Sequence, residues 1–154
     1  FKDLKTDKPN YKNYDLKKVL SILNNKPDQK HITDKKEFDE WGKLGLKKSK
    51  NYILQIKKLL SEKNIDLTLI YLEEPIFMLN SINSDFYKNF WGDIAFENNI
   101  DFIFISDFHK NETDKFKIYK ELFFIGDNHF NDKGNKIVAK EIMRKSNYFQ
   151  SLIN

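Results

Sequence analysis

Two stretches of this chain follow one pattern: Glu62-Lys63-Asn64-Ile65-Asp66-Leu67-Thr68-Leu69-Ile70 and Glu97-Asn98-Asn99-Ile100-Asp101-Phe102-Ile103-Phe104-Ile105. In each, an asparagine stands where a helix has to stop, and asparagine tolerates the left-handed conformation that ends helices. The isoleucine after it can fold back on the last turn, and a continuous apolar run follows. Runs that are apolar on both faces belong to parallel strands covered by helices. Between the two runs, Ser84 or Asp85 opens a segment with Phe86, Phe90, Trp91 and Ile94 at helical spacing. Strand, helix and strand joined this way predict a right-handed parallel crossover. The expected class is therefore α/β. The likeness of the two junctions reflects one physical demand met twice, not a duplication.

The flanks add helices. Residues 1–13 are polar and lysine-rich and read as an irregular lead-in. Asp15 can cap a helix carrying Leu16, Val19, Leu20 and Leu23, which Asn24-Asn25-Lys26-Pro27 stops. Asp34 and Glu37 form a capping-box pattern ahead of Phe38 and Trp41. Gly42 and Gly45 are expected to loosen or bend that helix before Tyr52, Ile53, Ile56, Leu59 and Leu60 resume the stripe. The 154 residues fit one domain, 1–154, and with 40% apolar residues and fourteen Phe the chain is globular rather than disordered. No apolar stretch reaches the roughly 18 residues a bilayer span needs, and no signal peptide is visible. The chain opens on Phe1, as expected of a piece of a longer protein. Cell envelope and cytoplasm both stay open as locations. Without cysteine there are no disulfides or thiolate metal sites. The charge of +4 is spread over abundant lysines with no Arg/aromatic recognition pattern, so no nucleic-acid partner is expected.

Chemistry concentrates near the end, in Gly126-Asp127-Asn128-His129-Phe130-Asn131-Asp132-Lys133-Gly134, ahead of an apolar-striped helix. Asp127 and His129 lie two apart, and in an extended segment their side chains share one side. The carboxylate can then accept a proton from one imidazole nitrogen, fix the tautomer and leave the other nitrogen as a base. Asn131 is placed to cap the helix, and Gly134 permits close backbone approach. A histidine that merely satisfies its own loop is the plainer alternative. In parallel sheets ligands bind beyond the carboxyl ends of strands, which makes Glu73, Glu74 and Pro75 candidates for lining a substrate cleft. With Asn128, Glu74 and Pro75 are the substrate-binding candidates. A second Asp-x-His, Asp107 and His109, lacks the Asn-x-x-Gly tail and reads as an exposed loop. A site of Asp107, His109, Asp127 and His129 would suit zinc or a redox metal, but nothing requires those residues to converge. No metal or cofactor is expected, and His31 reads as a loop residue.

Asp-x-His-x-Asn-x-x-Gly followed by an apolar helix resembles the last conserved block of the SGNH (GDSL-type) hydrolases and their O-acyltransferase relatives. The one-residue spacer is similar to the branch of exopolysaccharide and cell-wall O-acetyltransferases. The order of elements from about residue 34 to 149 resembles the second half of that fold. The resemblance implies a three-layer parallel-sheet, flavodoxin-like architecture, incomplete in this chain, which would be the C-terminal part of a larger domain. It implies that His129 is the general base and Asp127 its orienting acid in a Ser-His-Asp triad. The family's Gly-Asp-Ser turn is missing, since Gly92-Asp93 is followed by Ile94, and no serine here sits in a small-residue elbow after a strand. The nucleophile would then come from outside this chain, from the missing N-terminal part of the same domain. The implied activity is ester hydrolysis or O-acyl transfer on an acyl-ester small molecule or a glycan. The rival expectation is a non-catalytic α/β module that binds a partner or glycan.

Overall fold

The computed structural model describes residues 14–26, 34–80, 85–105, 114–146 and 151. The elements in order are α1 (Leu16–Asn24), α2 (Lys35–Glu37), a π-helical turn (Phe38–Gly42), α3 (Lys43–Ser61), β1 (Thr68–Leu72), α4 (Pro75–Asn80), α5 (Asp85–Glu97), β2 (Asp101–Ile105), α6 (Lys115–Leu122) and α7 (Asp132–Lys145). The protein is mixed α/β and mostly helical, with a small parallel sheet of two strands among the described residues.

Both repeated junctions fold as their sequence requires. Asn64 and Asn99 take φ of 56° and 50°, the left-handed region. The next amide then reaches back over the helix end, Ile65 N–H to Leu60 C=O at 3.0 Å and Ile100 N–H to Ala95 C=O at 2.9 Å. This satisfies carbonyls that a helix terminus otherwise leaves open. β1 and β2 follow at once and pair in parallel, Thr68 opposite Asp101 through Leu72 opposite Ile105. Side chains alternate across a strand, so β2 is covered on both sides: Phe102 lies against Gly92 of α5, while Ile103 and Ile105 pack on Val138 of α7.

The main core is helical. Val19 and Leu23 of α1, Ile76 to Leu79 of α4, and Ile118, Tyr119 and Leu122 of α6 with Phe123 form one buried cluster. Phe130 packs against this cluster and also against the one formed by β2 and α7. The segment joining α6 to α7 is therefore held from both sides.

The structure corrects several expectations. Leu122 ends α6, and Phe123 forms an isolated antiparallel bridge with Phe130. Two unread helices, α4 and α6, supply most of the core; Pro75 begins α4, where its missing N–H has no helical partner to lose. Asp34 caps α2 through Lys36 N–H and Glu37 N–H at 2.8 and 3.3 Å. The expected bend at Gly42 is the π-helical turn, where Gly42 leaves room for the Phe38 ring. Continuing from it, α3 has its stripe but buries none of it: Tyr52, Ile56 and Leu59 are exposed. Among the described residues no helix is long and apolar enough to cross a membrane. His31, Asp107 and His109, and the whole 1–13 lead-in, lie outside the described residues.

Candidate functional site

The loop from Phe124 to Asn131 owes its shape to what lies under it. Asp114 caps α6, its carboxylate accepting from Lys117 N–H at 2.9 Å, and this helix carries Tyr119 into the core. The Tyr119 hydroxyl accepts from the Gly126 and Asp127 amides at 2.8 and 3.0 Å and lies 3.0 and 2.9 Å from the Phe124 and Asp127 carbonyls, to either of which it can donate. Gly126 turns the chain with φ of 79°. Burial pushes the Tyr119 phenol up, the Asp127 and Gly126 backbone bonds work against that, and it settles at about 12.

At the far end of the loop, Asn131 accepts from Lys133 N–H and Gly134 N–H at 3.0 and 3.1 Å, capping α7. Its amide nitrogen donates backward to the Glu121 and Phe123 carbonyls at 2.9 and 3.3 Å. One side chain thus joins the end of α6 to the start of α7. Gly134 follows because a Cβ there would collide with the Leu122 carbonyl and the Phe130 ring.

Asp127 and His129 meet on this support. His129 Nδ1 lies 2.7 Å from Asp127 Oδ1. The sequence-based expectation of a pair is met, but by a different geometry. Residues 127–129 form a bend, not an extended strand. Asp127 Oδ1 also accepts the Asn128 and His129 amides at 2.6 and 3.3 Å, a local Asx-type turn that brings the ring round to the carboxylate. The fourth donor to this oxygen is Lys26 Nζ at 3.3 Å, from the end of α1. Burial works to raise the Asp127 acid, but bonds from His129, the Asn128 amide and Lys26 outweigh it and hold the carboxyl at about 2. The Asp127 side chain is 41% exposed and that of His129 84%.

His129 opens onto a cavity of about 420 Å³, lined by Leu72, Glu73, Glu74, Pro75, Asn128, His129, Phe130 and Asn135. It sits just past the carboxyl end of β1, where a parallel sheet offers a binding crevice. The three substrate-binding candidates, Glu74, Pro75 and Asn128, are brought together with the histidine. Asn128 Oδ1 is a buried acceptor without a hydrogen-bond partner among the described residues. Glu73 is buried at the same strand end. Burial first, then the Glu74 and Glu73 carboxylates, pushes the Tyr71 phenol well above its usual range. Cavities of about 470 Å³ beside Trp41 and about 730 Å³ near Asp66 and Asp101 lack this acid–base pair.

Among the described residues no group of three or more His, Asp or Glu side chains is arranged to hold a metal, and no serine or threonine lines the His129 cavity. Sequence reading missed two members of the site. Tyr119 had a signal, since Asp114 caps an α6 stripe of Ile118, Tyr119 and Leu122. Lys26 had none, because it reaches Asp127 across 101 positions of sequence. Comparison with family models, with curated proteins and with solved structures gives no match.

Proposed function

We propose that the chain supplies the acid–base half of an acyl-transfer site, as the SGNH-like motif suggests. His129 takes the proton of an attacking serine hydroxyl through Nε2, then returns a proton to the leaving alcohol. Asp127 accepts a hydrogen bond from Nδ1–H, which fixes the tautomer, and as a carboxylate it stabilises the imidazolium. The serine lies outside this chain, in further strands that complete a three-layer parallel sheet beside β1. With water as second acceptor the reaction is ester hydrolysis; with a sugar hydroxyl it is O-acylation.

The observation that carries this reading is the 2.7 Å contact between His129 Nδ1 and Asp127 Oδ1, on a ring whose side chain is 84% exposed at a cavity beyond the strand end. A histidine serving only its own loop would not need a partner acid and a cleft together. The test is hydrolysis of short-chain acyl esters by the full-length gene product, wild type against His129→Ala. A loss of about a hundredfold or more is expected for removal of a general base. Equal rates would defeat the enzymatic reading and leave a non-catalytic binding module.

A further inference from the structure

We propose that α3 is a surface helix that lies in the headgroup layer of an anionic lipid bilayer. Residues 43–61 hold six lysines and no Asp or Glu. The whole chain carries +4, so this one helix is more positive than the protein, and the remainder is negative overall. Beside the lysines runs the stripe that no described neighbour covers. Tyr52, Ile56 and Leu59 recur at i, i+4 and i+7 and so share a face, and exposed Leu44 and Trp41 extend the apolar surface towards the π-helical turn. Trp41 is 67% exposed and Leu59 61%, so both ends of the stripe face water. At the helical rise the distance between them is about 27 Å. A small ligand covers a fraction of that length, so the occupant is itself a surface. The acids before the helix are engaged locally, Asp39 with Lys43 and Glu40 with Lys36. Lys47, Lys48 and Lys58 stay exposed and outside any ion pair among the described residues.

The chemistry of this face disfavours the rival occupants. A second copy would bring together two six-lysine helices with no acid on either, and like charges across an interface repel. A nucleic acid would match the lysines, but Leu44, Ile56 and Leu59 are aliphatic and gain nothing along a phosphate backbone. A protein groove mixes charges of both signs, and α3 offers no carboxylate to the cations among them. An anionic bilayer meets each demand at once. The aliphatic side chains enter the acyl boundary, the lysine stems lie along apolar surface with their ammonium groups at the phosphates, and Trp and Tyr favour the headgroup level. No described helix is long and apolar enough to cross a membrane, so α3 lies on the bilayer. This attachment and the acyl-transfer reading do not depend on each other.

The experiment is co-sedimentation of the 154-residue chain with vesicles of equal parts phosphatidylglycerol and phosphatidylcholine, and with vesicles of phosphatidylcholine alone. Of the two tryptophans, Trp91→Phe leaves Trp41 as the reporter, so its emission is read in the same samples. Binding to the anionic vesicles with a blue shift of Trp41 is expected, and little binding to the neutral ones. Ile56→Ser with Leu59→Ser, and separately Lys47→Gln, Lys48→Gln and Lys58→Gln together, should each weaken that binding by about tenfold or more. All five side chains are exposed, and unchanged urea unfolding verifies that the variants keep the fold. Absence of binding to the anionic vesicles would overturn the proposal. So would binding with unshifted Trp41 emission, or binding undiminished by the serine pair, since either is adsorption by charge alone. A dimer that the serine pair dissolves would assign the stripe to a second copy, and polyglutamate bound as tightly as the vesicles would assign it to an acidic protein; both results refute the lipid surface.

Discussion

Replacing Tyr119 by Phe removes one oxygen atom and leaves the ring packing intact, which makes it a clean test of how the loop is held. The hydroxyl accepts from Gly126 N–H at 2.8 Å and Asp127 N–H at 3.0 Å, and donates to one of two carbonyls near 3 Å. The two amides are not equally dependent on it. Asp127 N–H keeps a bond to Phe124 C=O at 2.9 Å, whereas Gly126 N–H has no other partner among the described residues. The loss is thus two ordinary bonds at about 1 kcal/mol each plus one stranded donor at about 1 kcal/mol or more, roughly 2–4 kcal/mol. For a chain of this size that lowers the melting temperature by about 4–16 °C. Urea and thermal unfolding of Tyr119→Phe read the value directly. The same variant should broaden or shift the His129 ring signals, because Asp127 loses its footing. A stability change under about 0.5 kcal/mol would refute the view that this hydroxyl organises the loop. The phenol adds an alkaline signature: its folded value of about 12 exceeds the ordinary 10. Its contribution is complete below pH 10 and fades as pH rises from 10 through 12, a limb that the Phe variant should lack.

Other substitutions probe the same construction. Gly134→Ala should destabilise by roughly 2 kcal/mol or more despite alanine's better helix propensity, because the added carbon meets the Leu122 carbonyl and the Phe130 ring; a neutral result in urea unfolding would contradict that crowding. Asn131→Ala removes both the α7 cap and the two bonds back to α6, and should cost about 1–3 kcal/mol by the same measurement. Asp127 has a folded value of about 2 against an ordinary 3.8, so its contribution is present above pH 3.8 and disappears as pH falls from 3.8 through 2. Asp127→Asn should flatten that part of an acid unfolding curve. Asn64→Ala and Asn99→Ala should each lose about 1 kcal/mol at their positive φ, while the glycine variants stay near wild type in thermal unfolding.

What could be read in advance was what is encoded locally. Asn64 and Asn99 end their helices, Asp15 and Asn131 cap theirs, and each does so through bonds to backbone within a few positions. The Asp127–His129 contact was legible for the same reason, although its cause was misjudged. A two-residue spacing meets either in a strand or in an Asx turn, and spacing alone does not separate them. Lys26 lay beyond reach because an ion pair 101 positions apart leaves no periodic trace. The α3 stripe shows the opposite limit: periodicity records which face a helix could bury, and nothing in it says which neighbour does the burying. Ile70 and Leu72 on β1 carry the same lesson, being strand residues left exposed in a sheet that has two strands among the described residues.

The division between α3 and the site loop bears on how a chain like this can hold an acid–base pair. The exposed stripe of α3 contributes no buried residue, yet the geometry at His129 does not draw on it. The loop is fastened by the Tyr119 hydroxyl beneath, by Asn131 between two helices, and by the stacked Phe123 and Phe130 rings with centroids 4.4 Å apart. All of these belong to α6, α7 and the short segment joining them. The remaining support, Lys26, comes from α1 through the same helical core. The pair therefore depends on contacts among α1, α6, α7 and β2, and disturbing α3 should leave the His129–Asp127 contact intact. Ile56→Ser together with Leu59→Ser, on the exposed stripe, should leave the His129 ring NMR signals unchanged, and displaced signals would show that α3 is coupled to the site.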